Sequence, residues 1–335
     1  MFFNPCFMSA RITKVLVLFC LTFLMISCST QNPGQGVQGS GPFFGLTAND
    51  SVSILAPGII STSLFEYNGT FAPDGSVFYY TVNLPNRGQV VFTELGTDNT
   101  WSAPKFAKFS SQYSEVDPLF SPDGSRLYLT SNRPTSDTTE AGRNHIWFVE
   151  KAANGWGKPE LVALTETGDY YSSLTHKGDI YFNTWSTGDI YKGVKTDSAY
   201  AIERLHDVIN LDKSVGDPFI SPDEDYLIFR GNNLANTVGG FDLYISFKVD
   251  GHWTAPQNLG EPINSKAREI CPYVTADGKL FVFASNRLLE DFETKPLQPI
   301  APFRDKSQSF DNGAWNIYYT STAFIEKLRA NATRQ

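Results

Sequence analysis

The sequence has 335 residues, 41% of them hydrophobic and 14% aromatic, with a formal net charge of −8. That is enough apolar material for a sizeable core, and the acidic balance excludes nucleic acid as an expected partner. The 26 Phe, 15 Tyr, 26 Gly and 19 Pro favour an all-β chain, because aromatic side chains suit pleated surfaces and Gly and Pro punctuate tight turns.

Arg11 and Lys14 precede an apolar run from Val15 to Ile26. At about 12 residues the run is short for a membrane span of roughly 20, and residues 1–27 read as a signal peptide. It ends in Met25-Ile26-Ser27-Cys28, which resembles a bacterial lipobox. The resemblance implies that Cys28 carries a lipid anchor and that cleavage, which removes two basic residues and no acid, leaves a mature charge of −10. Residues 28–49, rich in Gly, Gln and Ser, have little to bury and are expected to form a flexible tether. No acidic retention signal follows Cys28, which favours the bacterial outer membrane, with the periplasmic face as the default. Cys6 and Cys20 fall in the cleaved segment, so no disulfide framework remains, and Cys271 reads as a small buried hydrophobe.

From residue 50 onward one motif recurs: Phe71-Ala-Pro-Asp-Gly75, Phe120-Ser-Pro-Asp-Gly124, Ile220-Ser-Pro-Asp-Glu224 and Val274-Thr-Ala-Asp-Gly278, with Leu174-Thr-His-Lys-Gly178 as a degenerate copy. Asp74, Asp123, Lys177, Asp223 and Asp277 are spaced by 49, 54, 46 and 54 residues, a length that fits one four-stranded blade. Pro presets φ, Asp bonds the turn backbone and Gly takes positive φ, so the motif is expected to join two strands. A third strand is marked by Asp189-Ile-Tyr191, Asp242-Leu-Tyr244, Asn316-Ile-Tyr318 and the variant Asn144-His-Ile-Trp147. Trp-x-x-Pro then appears at Trp101, Trp156 and Trp253, where a proline is tolerated on an edge strand.

These repeats resemble the TolB-like, WD-repeat-like β-propeller family, whose Ser-Pro-Asp-Gly and Ser-Asn-Arg signature is matched by Ser131-Asn132-Arg133 and Ser285-Asn286-Arg287. The resemblance covers about residues 50–320. The expected fold is an all-β propeller of four-stranded blades over residues 50–322, followed by a helical tail at 323–335. Five blades are favoured and six are the alternative. Ser53-Ile-Leu-Ala-Pro57 stands where an outermost strand would, so the N-terminal strand is expected to complete the last blade and remove the open edge. The Pro-rich insertion from Leu288 to Asp311 reads as a long loop in that blade.

Eight residues before each turn stand Glu66, Glu115, Asp169, Val215 and Glu269, and six before stand Asp117 and Asp217. They are expected to ring one mouth of the central channel, with Arg133 and Arg287 close by. The family resemblance implies a non-catalytic envelope module whose channel mouth meets a protein or peptide; no cofactor or metal is expected, although oxygen ligands converging from several blades would also suit a sugar or a hard cation such as Ca²⁺. Two alternatives stay open. A glycan-cleaving propeller would use Asp117, Asp217 and Glu269 as axial carboxylates, and a scaffold would use the acids only to bridge blades through Arg133, Arg230 and Arg287. Asn83, Asn132, Asn232 and Asn286 recur nine residues after the turn position and suggest loop bonding, while Tyr170-Tyr171 is the best candidate for a carbohydrate platform. The four histidines show no metal-ligand spacing.

Overall fold

The structure is a computed structural model that describes residues 39–136, 140–153, 155–211, 215–288, 304 and 306–332. The signal segment, Cys28 and most of the 288–311 insertion lie outside the described residues.

Five antiparallel sheets form the five blades of a β-propeller. Blade 1 runs Phe65–Phe71, Val77–Leu84, Arg87–Glu94 and Lys105–Phe106 from axis to rim. Blade 2 runs Glu115–Phe120, Arg126–Ser131, His145–Ala152 and Glu160–Leu161, and blade 3 runs Asp169–Leu174, Ile180–Thr184, Ile190–Lys195 and Tyr200–Arg204. In blade 4, Val215–Ile220, Tyr226–Gly231 and Asp242–Val249 precede two short rim strands, His252–Trp253 and Gln257–Asn258. Blade 5 has Glu269–Val274, Leu280–Ser285 and Asn316–Ser321, and its rim strand is Ser53–Ile54 from the N-terminal side, with Ser53 opposite Tyr319 and Ile54 opposite Tyr318. The ring thus closes by sharing one blade between the two ends of the chain, as the motif spacing predicts.

The second strands carry continuous apolar runs because neighbouring blades cover both of their faces. Phe78, Leu127, Ile180, Phe229 and Phe281 are all buried. The Trp-x-x-Pro motif acts slightly ahead of where the sequence suggested. Pro104, Pro159 and Pro256 each sit just before a rim strand and not within it, and Trp156 Nε1 donates to Tyr79 Oη of the neighbouring blade at 2.8 Å.

Asp74, Asp123 and Asp277 each accept a backbone N–H two residues on, at 3.0, 3.0 and 3.2 Å. The next residue is left-handed, at φ 72 for Gly75, 70 for Gly124 and 70 for Gly278. In blade 4 that place is taken by Glu224 at φ 62, a conformation that costs a non-glycine residue about 1–2 kcal/mol. Its carboxylate recovers the cost through Lys192 at 2.5 Å, Lys248 at 3.2 Å and Tyr181 Oη at 2.5 Å, two of which belong to blade 3. Burial pushes this carboxyl up, but Lys192, Tyr181 and Lys248 together hold it down at about 2. The lost glycine is therefore an inter-blade ion-pair site.

One expectation is corrected at the N-terminal side. The tether was expected to run to residue 49, yet Gly39–Asn49 already packs on the propeller. Phe43 N–H donates to Gly75 O at 2.9 Å, and Phe44, only 4% exposed, lies 4.1 Å from the Trp101 ring. Phe43 and Phe44 supply apolar surface that the Gly/Gln/Ser stretch before them lacks. At the other end, helix α1, Ala323–Ala332, fastens blade 5 to blade 4: Phe324 meets Phe281 edge-on at 5.0 Å, and Arg329 pairs with Asp225 at 2.8 Å. Both terminal segments contact the face that carries the Pro-Asp-Gly turns.

Candidate functional site

On the opposite face, each innermost strand is interrupted by the same bulge. The pairing register slips between Tyr67 and Thr70, Val116 and Leu119, Tyr170 and Ser172, Gly216 and Phe219, and Ile270 and Tyr273. At each slip one non-glycine residue has positive φ: Asn68 at 50, Asp117 at 57, Tyr171 at 53, Asp217 at 51 and Cys271 at 55. A bulge re-aims the side chain it carries. These five are bonded to one another and to adjacent blades. Asn68 Nδ2 donates to Asp117 Oδ1 at 3.1 Å, and Cys271 N–H donates to Asp217 Oδ2 at 3.4 Å. Tyr171 Oη donates to Pro272 O at 3.2 Å, linking blades 3 and 5, which are not neighbours. The phenol therefore reaches across the axis and blocks the channel at this level.

The stitching is regular until blade 4. Thr81 Oγ1 accepts the Asp117 N–H at 3.0 Å, Thr130 Oγ1 accepts that of Tyr171 at 3.0 Å, and Asn183 Oδ1 accepts that of Asp217 at 2.8 Å. The next equivalent is Arg230, opposite Gly216 in the ladder, and a guanidinium cannot accept. Here Asp217 itself accepts the following N–H. Arg230 Nε instead pairs with Asp217 Oδ1 at 3.0 Å, and its Nη2 lies 3.4 Å from Tyr170 Oη. A Cβ on Gly216 would stand 2.7 Å from Nη2, so the missing side chain is what admits the guanidinium. Arg230 Nη1 is buried and has no hydrogen-bond partner among the described residues.

Burial, with Asp217 adding to it, pushes the Asp117 carboxyl up to about 7 against the downward pull of Asn68 and Thr130. Burial would lower Arg230, but Asp217 and Tyr170 raise it above its ordinary value. The Cys271 thiol is pushed well up by burial and then by the two aspartates, so it is no nucleophile. Above this layer sit Tyr67, Val116, Tyr170 and Ile270, all half-buried. The Tyr170 ring lies 4.5 Å from that of Trp185, tilted by 32°, and Trp185 is 61% exposed. These side chains make up the mouth opposite the turn face, here termed the bowl: Tyr67 and Tyr170 stand over a buried layer of two carboxylates, one guanidinium and one amide.

The eight candidates from the sequence separate into two groups. Asp117 and Asp217 are in the bowl floor. Glu66, Glu115, Asp169 and Glu269 are not: they are 2, 0, 0 and 0% exposed and lie inside their own blades. The expected ring of acids is corrected in this respect. Each accepts hydrogen bonds from a Ser or Thr four residues earlier, Thr62, Ser111, Thr165 and Ser265, which folds the preceding loop over it. Arg133 pairs with Glu115 at 2.7 Å and Arg287 with Glu269 at 3.0 Å, so these arginines also hold blades and not the mouth. Glu66 uses Asn316 Nδ2 at 3.0 Å, and Asp169 uses His145 Nδ1 at 3.4 Å. Burial raises the Glu66, Asp169 and Glu269 carboxyls. In blade 4, where Val215 breaks the pattern, Asp242 replaces the acid and accepts from Val238 and Gly239 N–H at 2.7 and 2.9 Å.

Two recurrent asparagines bond loops as expected: Asn132 Oδ1 accepts from Ser114 N–H at 2.8 Å and Asn286 Oδ1 from Arg268 N–H at 3.0 Å. Sequence reasoning placed Arg230 only as a bridging base and missed Gly216 and Trp185. The signal was the single Gly in a column otherwise filled by Tyr67, Val116, Tyr170 and Ile270. Among the described residues, no group of three or more His, Cys, Asp or Glu is placed to hold a metal ion.

No family model matches the sequence, and no curated protein matches it. Solved structures similar to this chain include a TolB protein from Agrobacterium tumefaciens, at 15% identity and TM-score 0.45, covering 77% of this chain and 90% of that one. An endo-arabinanase from Bacillus licheniformis matches at 13% identity and TM-score 0.49, covering 77% and 93%, and an arabinanase from Bacillus subtilis at 11% and 0.49, covering 79% and 96%. At these identities and scores the likeness carries no argument about function. The five-bladed fold rests on the sheets themselves.

Proposed function

We propose that this protein is a non-catalytic module of the bacterial envelope, anchored to the outer membrane through a lipid on Cys28, whose propeller binds a protein or peptide segment at the bowl opposite the turn face. The observation that carries this reading is the departure of blade 4 from the repeat: Gly216 and Arg230 together place an ion pair, and a guanidinium nitrogen lacking a partner among the described residues, beside Tyr170. A buried polar atom left unsatisfied is costly, so its retention favours a role beyond holding blades. The floor offers donors and acceptors of both signs next to aromatic rings, a composition suited to peptide backbone and mixed side chains. Tyr171 blocks the axis, so the partner rests on the mouth and does not thread the channel.

A second reading, glycan hydrolysis, is favoured by one observation. Asp117 is raised to about 7, partly by the neighbouring Asp217, and a carboxyl that keeps its proton near neutral pH is what a general acid requires. Binding is preferred because Glu269, the third carboxylate that reading invokes, is enclosed by Ser265, Ser285 and Arg287.

The test is affinity capture from solubilised envelopes with wild type, Tyr67→Ala/Tyr170→Ala and the turn-face control Lys177→Ala. A partner retained by wild type and the control and lost from the bowl variant supports the proposal. A partner retained equally by all three, or no specific partner, overturns it. Palmitate labelling that survives Cys28→Ala would refute the anchor.

A further inference from the structure

A second feature of the same face lies between blades 2 and 3. Asn132, Gly142, Arg143, Asn144, Thr167, Trp185 and Ser186 line a shallow cleft of about 570 Å³ that lies open to solvent. Trp185 sits at the tip between strands Ile180–Thr184 and Ile190–Lys195, with Tyr170 behind its ring. At 61% exposure it is the most open large hydrophobic residue among those described. Fully burying such a ring is worth about 2–3 kcal/mol, and the fold leaves that gain unused.

The rest of the lining is unlike a protein-docking patch. It holds no aliphatic side chain and no carboxylate. Asn144 and the Trp185 indole N–H make no side-chain hydrogen bond among the described residues, and Asn132 uses only its carbonyl oxygen, for Ser114. Arg143 has no ion pair there; its single contact is a long 3.4 Å bond from Nη1 to Thr167 O. One exposed aromatic face, several amide and hydroxyl groups and one guanidinium with no ion pair among the described residues describe a site for a flat, hydroxyl-rich ring that carries negative charge.

We propose that this cleft binds an acidic glycan, one sugar ring lying on Trp185 and the sugar carboxylate meeting Arg143, with Asn132 and Asn144 bonding hydroxyls. Stacking on the indole uses the apolar C–H face of the sugar, and Asn amides serve its hydroxyls as both donor and acceptor. A carboxylate can accept two parallel bonds from the Arg143 fork, which a neutral sugar cannot. The cleft shares Tyr170 with the bowl but none of its charged groups, so glycan and protein partners occupy separate subsites. Asp117 and Asp217 take no part in this binding.

Isothermal titration of the full-length, detergent-solubilised protein against a panel of uronate-containing oligosaccharides, with neutral oligosaccharides of equal length, tests this. At least one acidic member is expected to saturate at one site and to bind about tenfold or more tightly than its neutral counterpart. Trp185→Ala and Arg143→Gln should each weaken it about tenfold or more, while the turn-face variant Lys177→Ala leaves it unchanged. Trp185 and Arg143 are exposed, so these variants are expected to fold, which unaltered thermal midpoints would verify. Binding of no acidic member, or binding indifferent to Trp185→Ala, overturns the proposal. Equal binding of acidic and neutral members overturns the role of Arg143. Envelope capture by Tyr67→Ala alone, which leaves Tyr170 behind Trp185, reads the bowl separately.

Discussion

Arg230 interrupts a pattern that blades 1 to 3 keep, and restoring the pattern has a calculable effect. Arg230→Thr would place at this position the hydroxyl that Thr81 and Thr130 supply, able to accept the Cys271 N–H. It would also strand Asp217, whose side chain is 9% exposed, without its counter-ion. At the observed 3.0 Å and an effective dielectric of about 20, the pair attracts by roughly 5 kcal/mol. Most of that repays desolvation, yet removing one partner of a buried pair costs about 3–5 kcal/mol because the remaining charge is uncompensated. The single variant is therefore expected to lose about 3 kcal/mol. Adding Asp217→Asn removes the charge and gives the position the residue that blade 1 has in Asn68, so the double variant should lie within about 1 kcal/mol of wild type. Urea unfolding of all three, together with Asp217→Asn alone, reads the coupling directly. A coupling near zero, with the double variant as unstable as the single losses add up to, would refute the ion pair and the account of blade 4 built on it.

Asp117 makes stability depend on pH with a definite sign. Its folded carboxyl stands near 7, above an unfolded value near 4, so the folded state holds the extra proton and stability falls as pH rises between about 4 and 7. Asp117→Asn should remove this, gaining up to about 4 kcal/mol relative to wild type from pH 4 to 7.5; a constant difference between the two would count against it. Glu66→Gln and Glu115→Gln should part company. Among the described residues Glu66 bonds only neutral partners, Thr62 and Asn316, and its replacement should cost about 1 kcal/mol, whereas Glu115→Gln leaves the Arg133 guanidinium buried and should cost about 3 kcal/mol. Thermal or denaturant midpoints showing equal losses would contradict the assignment. Aryl glycosides and arabinan, xylan and galactan oligomers should remain uncleaved; turnover abolished by Asp117→Asn would replace the binding reading with the hydrolytic one.

How much of this was legible in the sequence follows from which contacts are local. The turn needs Asp at one place and positive φ at the next, so Asp74, Asp123 and Asp277 revealed the blades, and the displaced Ser53 strand revealed how they close. The bulge was hidden because its left-handed residues are Asn68, Asp117, Tyr171, Asp217 and Cys271, none of them glycine. Its trace was a proline, Pro118, Pro218 and Pro272, directly after three of the five, where a regular paired strand would want an N–H. The acids eight residues before the turn were misplaced for a related reason. Repetition showed that they recur, but their burial depends on loops folding back, and only the Ser or Thr four residues earlier recorded that. Arg230 and Trp185 occur once each, so a search for repetition passes over them, and what singles them out is their three-dimensional surroundings.

The bowl, and not the turn face, is the end of the propeller proposed to meet a partner. Photocrosslinking in intact cells from p-benzoylphenylalanine in place of Tyr67 and, separately, of Lys177 compares the two ends of the propeller in one measurement. A discrete adduct from position 67 and none from position 177 is the predicted result. An adduct from position 177 alone, or none from position 67, would contradict it.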